Sequence, residues 1–397
     1  MYNFDEVTDR ISEKCRKWDR KIVEKNFGAV PDNFIPMWIA DMDFKIPEEI
    51  EKAFNDAVKR GVFGYTYCYD EFYDAVTDWQ LSMHGVEVKR EWITLSYGTV
   101  STIHYAIQAF CKAGDNIIMN TPVYDPFDAA ARRQGVNRIY NSLVKVEDRY
   151  HIDFESLKHQ LEEYKPKLYL FCSPHNPSGR IWSMEELEQV AKLCRETNTI
   201  LIVDEVHAEH IHYGKFNSIL KLKSMDNIIL LTSPNKGFNL GGLKTSYSII
   251  PNDSIRALFR KKLDENSITS PNAFGIIGLV TAYNEGRLWL KEVNEYIKGN
   301  YEVFQAHIEK NIPNLKVMKM ESSYLAWVDI SKTGFTSAEV TSMLATKAGV
   351  LVENGAHFVQ DGEGYIRVNL GTQRKNVVEA VKRMENISSY LSSMPLL

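Results

Sequence analysis

The sequence predicts an α/β fold, a mostly parallel sheet sandwiched by helices, joined to a smaller α+β domain. Three observations carry this prediction. From Trp92 onward, short apolar runs alternate with segments of helical periodicity, the pattern of repeated strand–loop–helix units. Runs such as Ile200-Leu201-Ile202-Val203 and Ile228-Ile229-Leu230-Leu231 are apolar throughout, as strands covered on both faces are. Beyond Gly286 the order changes to long amphipathic helices over 288–308 and 337–348, with short strands over 324–328 and 365–370. Residues 47–286 are therefore expected to form the large domain, and 1–46 with 287–397 the small one. No low-complexity tract or linker separates them, so a shared interface is expected.

Composition narrows the function classes. The chain has 397 residues, 44% apolar and 25% charged, with a net charge of -5, which gives no electrostatic reason for a nucleic-acid or anionic-membrane partner. The basic cluster 256–262 is expected to be one solvated helix face. Five scattered cysteines without CxxC spacing argue against a disulfide framework or a zinc site, and no metal is expected. The first residues lack a basic and apolar leader, and no apolar run is long enough to span a bilayer. The expectation is a cytoplasmic protein.

In chain order, Ile35-Pro36-Met37-Trp38-Ile39-Ala40-Asp41-Met42-Asp43-Phe44 has no helical period and is either an extended segment on the core or a site-lining loop. A helix over 47–60 follows, with Pro47 in its first turn, acids behind it and Gly61 at its end. Phe63-Gly64-Tyr65-Thr66-Tyr67-Cys68-Tyr69 is an aromatic loop suited to packing or to reaching a partner subunit. Ile93-Thr94-Leu95 leads through Ser96-Tyr97-Gly98-Thr99 into a helix, and small residues at such a start leave N–H groups open to an anion. Ile117-Ile118-Met119 leads to a proline-fixed loop presenting Tyr124. The strand over 167–172 ends in Ser173-Pro174-His175-Asn176-Pro177-Ser178-Gly179, and Ser183 with Glu186 reads as a capping box. The strand over 200–203 delivers Asp204 and Glu205, with His207 beyond. The next delivers Ser233-Pro234-Asn235-Lys236 in an irregular loop, and a strand over 247–250 follows. In the last strand Arg367 shares a face with Tyr365 and Asn369 and is displayed rather than buried in the apolar layer.

Gly98, Tyr124, Asn176, Asp204 and Lys236 thus all follow apolar strands of one sheet, at the rim where open α/β sheets bind ligands. Singly each has a bland reading, and a lone lysine is most often a solvated one. Together they suit one ligand, pyridoxal 5′-phosphate. A desolvated Lys236 amine can form a Schiff base with its aldehyde. Asp204 can keep the ring nitrogen protonated, Asn176 can donate to the ring oxygen, and Tyr124 can stack on the ring. The Gly98-Thr99-Val100 backbone and the Ser233 hydroxyl can hold the phosphate.

Here the sequence resembles the fold-type-I pyridoxal-phosphate enzymes of the aminotransferase superfamily, and within them the cystathionine β-lyase and maltose-regulon modulator family. The segments 36–44, 63–65, 122–124, 173–179, 204–207, 233–236 and 365–369 carry the resemblance. It implies that Lys236 holds the cofactor covalently and that Lys236, Tyr124 and Asp204 form the catalytic set. It also implies that Arg367 pairs with the substrate α-carboxylate and that Tyr65 reaches the phosphate of the neighbouring subunit in a homodimer. His207 supports the ring oxygen or Asp204, or is a satisfied structural histidine. Trp38 lines the substrate pocket or belongs to the core, and Asp41 orders its loop. Two positions depart from the family pattern. Gly237 stands where a small hydroxyl residue is usual, and Lys244 where related aminotransferases carry a phosphate-binding arginine. The implied activity is carbon–sulfur β-elimination from cystathionine or cysteine-like amino acids. Amino transfer, or a regulatory role through a protein partner, are the rival readings.

Overall fold

The computed structural model describes residues 2–392. Strands β1 (Ile35–Met37), β2 (Ile93–Ser96), β3 (Asn116–Thr121) and β4 (Asn137–Ser142) come first, followed by the hairpin β5 (Val144–Val146) and β6 (Arg149–His151). Next are β7 (Leu168–Cys172), β8 (Ile200–Asp204), β9 (Ile228–Thr232) and β10 (Ser246–Ile249). The last four are β11 (Lys316–Val317), β12 (Leu325–Asp329), β13 (Val350–Asn354) and β14 (Tyr365–Asn369).

Seven of them form one sheet in the order β2-β10-β9-β8-β7-β3-β4. Only β10 is inverted, and it is antiparallel to both neighbours, so β2 runs the same way as β9. That arithmetic of direction brings the C-terminal ends of β2, β3, β7, β8 and β9 to one edge. The apolar runs are covered on both faces. Along β9, Ile228 and Leu230 enter one apolar cluster while Ile229 and Leu231 enter another; β8 does the same with Leu201 and Val203 against Ile202. The smaller sheet has the order β1-β13-β14-β12-β11 and is antiparallel except where β1 pairs with β13. One apolar cluster runs from Ile93 and Tyr247 of the large sheet to Trp289, Trp327 and Val368, so the two sheets share a core.

The helices end where the sequence chemistry places their stops. Glu48–Arg60 begins after Pro47, carries Glu48, Glu49 and Glu51 in its first turn, and closes on Gly61 in the left-handed region at φ 68°. Met184–Glu196 has both halves of the Ser183–Glu186 capping box. The long helix Arg287–Asn311 packs against the helix Arg374–Asn386 and against β11.

Four expectations need correction. Lys236 lies not in an irregular loop but in a one-turn helix, Pro234–Gly237, which Ser233 caps and Pro234 starts. The helix expected over 337–348 is regular only as Ser337–Met343 and widens into the turn Leu344–Ala348 before Gly349. The cluster 256–262 is not one solvated face. Arg256 donates to the Ile250 carbonyl at 2.8 Å, and Arg260 donates to the carbonyls of Glu91 and Ile93 at 2.9 Å, because the ends of β2 and β10 leave carbonyls for them. Arg367 is buried rather than displayed at a surface, since both faces of the small sheet are covered. No helix among the described residues is long and apolar enough to cross a membrane.

Candidate active site

The common edge of the five strands opens into a cavity of ≈ 220 Å³, with Gly98, Thr99, Val100, Tyr124, Asn176, Asp204, His207, Lys236 and Lys244 in its wall. The residues that the sequence singled out one strand at a time therefore meet in one place.

Lys236 projects from its helical turn, and its Nζ donates to the carbonyl of Ala40. Desolvation and the Arg367 guanidinium push its pKa down to about 8, against the pull of Asp41 and Asp204. Across the cavity Asp204 closes β8. Burial pushes its carboxyl up to about 7, although the Val206 N–H, at 3.1 Å, and the Lys236 amine oppose the shift. Beside it His207 is held neutral, mainly by desolvation and then by Lys236, with Nδ1 3.3 Å from the Ser323 hydroxyl.

Arg367 reaches in from β14. Its Nη1 donates to Asn176 Oδ1 at 3.2 Å and its Nη2 to the Trp38 carbonyl at 3.1 Å, and the guanidinium lies over the Phe358 ring. Its Nε is buried without a partner. A buried guanidinium with an unanswered donor is poised for an anion. Tyr124 feels both this arginine and Asp204: burial raises its phenol pKa, Arg367 opposes the rise and Asp204 adds to it.

At the other end Gly98 precedes the helix Thr99–Phe110 with φ 89°, a conformation that suits glycine. The first turn of that helix, Thr99 to Ser101, faces the cavity with Lys244 opposite. The lysine stem crosses the turn, because a Cβ on Gly98 would lie 3.9 Å from Lys244 Cδ. Open N–H groups with a cation form an anion cradle.

The donor set fits pyridoxal phosphate. A depressed lysine amine suits an aldehyde and an anion cradle suits a phosphate. An acid driven towards neutrality by burial suits a protonated ring nitrogen, whose charge would restore its ionised form.

Of the remaining expected residues, Ser233 departs from its expected place, Trp38 takes the core reading, and Tyr65 lies apart from this chain's own cavity. Ser233 is not part of the cavity wall, because its Oγ accepts the Asn235 N–H at 3.3 Å in capping the lysine turn. The Trp38 side chain packs with Val23, Phe34 and Leu351 in a separate core cluster, and only its carbonyl serves the site. Tyr65 is fully exposed, at 103%, away from this chain's own cavity. Asp41 orders its loop as expected, paired with Arg10 at 3.0 Å.

Other contributors act where sequence patterns are silent. Ala40 offers a carbonyl, which Tyr324 also holds through its hydroxyl at 3.0 Å. Asn369 donates to the carbonyls of Ile39 and Asp41, and Asn239 to those of Met42 and Phe44, so the segment 38–44 is pinned from both sheets. His175 ties the two loops that present Tyr124 and Asn176. Its Nε2 donates to the Pro122 carbonyl at 3.0 Å while Nδ1 accepts from Ser178 at 2.7 Å, an arrangement that needs the neutral ring burial enforces. Of these, Asn369 alone had a visible signal, its place on the Arg367 face of the strand.

The sequence matches the family described as aminotransferase class I and II over residues 33–384. It is 35% identical to the cystathionine beta-lyase PatB of Bacillus subtilis (strain 168), over 96% of this chain and 99% of that one. Among solved structures, cystalysin from Treponema denticola, which contains pyridoxal 5′-phosphate, superposes with a TM-score of 0.94. It is 29% identical and covers 98% of this chain and 100% of its own. The pyridoxal-phosphate-bound C–S lyase of Staphylococcus hominis superposes with a TM-score of 0.90, 29% identical, over 97% and 98% of the two chains.

Proposed function

Because this chain belongs to the class I and II aminotransferase family, we propose that it is a pyridoxal-phosphate-dependent carbon–sulfur β-lyase. It would cleave cystathionine or cysteine-like amino acids to a thiol, pyruvate and ammonia. The observation that carries the chemistry is the Lys236 amine facing Asp204 across one cavity, with the anion-seeking Arg367 beside them. Elimination is favoured over amino transfer by the lyase names of the full-length relatives.

Lys236 would hold the cofactor's aldehyde carbon, Asp204 its ring nitrogen, Asn176 its ring oxygen and Tyr124 its ring face. Its phosphate would lie in the turn Gly98, Thr99 and Val100 with Lys244. Ser233 supports the lysine turn instead, as the cap of Pro234–Gly237. When bound, the group supplies an electron sink for negative charge at the substrate Cα. Arg367 holds the α-carboxylate by a two-point contact, which turns the Cα–H towards Lys236. Lys236, neutral in a useful fraction near neutral pH, takes that proton. The Cβ–S bond then breaks with its electron pair on sulfur, which leaves as thiol once protonated. The three-carbon enamine adds water and gives pyruvate and ammonia. His207 stays uncharged beside Asp204, so it would not compete with the ring nitrogen as the acid's cationic partner.

We also read the protein as a homodimer with a shared site. Val62, Phe63, Tyr65 and Tyr67 are exposed by 81%, 61%, 103% and 73%, an apolar strip that a lone chain would leave in water. The second subunit's copy of this loop would bring Tyr65 to the phosphate. We read its setting as cytoplasmic from the odd number and scattered spacing of the five cysteines.

The deciding experiment offers cystathionine to the purified protein with and without an added keto acid. Pyruvate, ammonia and thiol in the absence of keto acid are expected. Amino-group transfer to the keto acid without thiol release would replace the elimination reading.

A further inference from the structure

We propose that Tyr324 is a positioning residue for Lys236: its hydroxyl shares the Ala40 carbonyl with the lysine amine, aims the lone pair of that amine into the cavity and keeps it a free base. This deepens the lyase reading above and rests on it. Two donors meet on one oxygen, the Lys236 Nζ and the Tyr324 hydroxyl, the latter at 3.0 Å. A carbonyl has two lone pairs, so both bonds can be made together. A neutral amine that gives one N–H to this oxygen points its own lone pair elsewhere, and both Ala40 and Lys236 stand in the cavity wall. An ammonium would gain more from the same oxygen than the amine does, because a hydrogen bond to the charged form favours that form. The tyrosine reduces this gain, since an oxygen that already accepts one hydrogen bond is a weaker acceptor for a second.

The hydroxyl is held in place from three sides. Ser323, buried and in the left-handed region at φ 72°, sets the entry to the tyrosine, and its N–H donates to the His210 carbonyl at 2.7 Å. A residue other than glycine stays in that region only where its surroundings over-determine it. The Tyr324 carbonyl accepts the Leu370 N–H at 2.7 Å, and the ring meets His207 and His210 edge to face, with centroids 6.2 and 5.2 Å away. Burial pushes the phenol pKa up, so the hydroxyl keeps its proton wherever the lysine titrates. The other charges facing the amine are Arg367 and Lys244, which favour its neutral form, and Asp41 and Asp204, which favour the ammonium. His207 and His210 are kept neutral by burial. All six remain when the tyrosine loses only its oxygen.

The test follows the capture of pyridoxal phosphate by the cofactor-free protein against pH, read by absorbance, and needs no turnover. Tyr324→Phe should raise the midpoint by about 0.5–1 pH unit, so that capture at pH 7 falls about three- to tenfold relative to capture at pH 10. Tyr324→3-fluorotyrosine, a stronger donor of nearly the same size, should lower the midpoint, and it decides the matter where the phenylalanine variant fails to fold. Tyr283→Phe removes another buried hydroxyl, one that meets Tyr247 at 3.0 Å, and should leave the midpoint in place. A midpoint that either change at Tyr324 leaves unmoved or moves the other way, or that Tyr283→Phe moves as far, would overturn the role. The lyase reading fails separately, on the products formed from cystathionine, whatever these midpoints do.

Discussion

Lys236 sets the pH behaviour of the site. Its amine is reactive only when neutral, and desolvation with Arg367 brings its pKa to about 8, below the ordinary lysine value. The cofactor-free protein should therefore capture pyridoxal phosphate at a rate that climbs with a midpoint near pH 8 and levels about one pH unit above it. Stopped-flow absorbance would show it, and a midpoint near an ordinary lysine's would contradict the site geometry. Asp204 works in the opposite sense. Its folded pKa is raised, so the native chain keeps a proton that the unfolded chain releases from about pH 4. Its ionisation therefore costs stability increasingly up to pH 7 and fully above. Asp204→Asn should stabilise the cofactor-free protein by about 4 kcal/mol at pH 8.5 and by almost nothing at pH 4, while weakening cofactor retention. Denaturant titrations at the two pH values check both signs. The strand-end residues were legible because each follows an apolar run and carries its chemistry in a side chain. Ala40 was not, since an alanine contributes to the site only through its carbonyl, and the partner of a carbonyl depends on tertiary structure. Ser233 misled for a related reason, because a hydroxyl before a proline-started turn is more useful to the turn than to a ligand.

At the scale of elements, the position of Lys244 depends on how the helix Ala273–Glu285 seats against the chain entering β10. Gly275 makes that seat. A Cβ there would come within 1.8 Å of Thr245 Oγ1, the neighbour of Lys244. Gly275→Ala should lower stability by about 1–3 kcal/mol and loosen the phosphate end. The expected readout is a lower Tm with a raised dissociation constant for pyridoxal phosphate. Unchanged values for both would mean the helix shifts freely. Gly237, the other departure in this region, has a spatial reason. Glu209 Cβ and Cγ would both lie 3.2 Å from a Cβ at that position, so the usual hydroxyl residue would crowd a buried acid. Periodicity located the elements well because the large sheet is apolar on both faces and its helices carry explicit caps. It could not show that Arg256 and Arg260 serve strand-end carbonyls, since basic residues on a helix look alike until the sheet edge beside them is known.

For the whole molecule, the exposed strip at Val62, Phe63, Tyr65 and Tyr67 sets the expected assembly. Phe63→Asp places a charge in that strip. Sedimentation should show the parent as two chains and the variant as one, with cofactor lost on dialysis if Tyr65 completes the phosphate site across the interface. A parent that sediments as a single chain would remove the shared site. The division expected at 47–286 rests on the change in element order along the sequence. The association of the first 46 residues with the C-terminal part has its structural counterpart in the pairing of β1 with β13.

The bond from Lys236 to the Ala40 carbonyl joins a turn of the large sheet to a segment that Arg10 and Lys17 hook down through Asp41 and Asp43. It behaves as a latch whose bolt is the reactive nitrogen itself. Once that nitrogen is engaged by an aldehyde the bolt would be drawn, and the segment 38–44 would keep its bonds to Tyr324, Asn239, Asn369, Arg367 and Gln373 and its ion pairs to Arg10 and Lys17. Charging the protein with its coenzyme would thus trade one tie between the large sheet and this segment for the covalent bond, while the remaining ties keep the wall of the cavity in place.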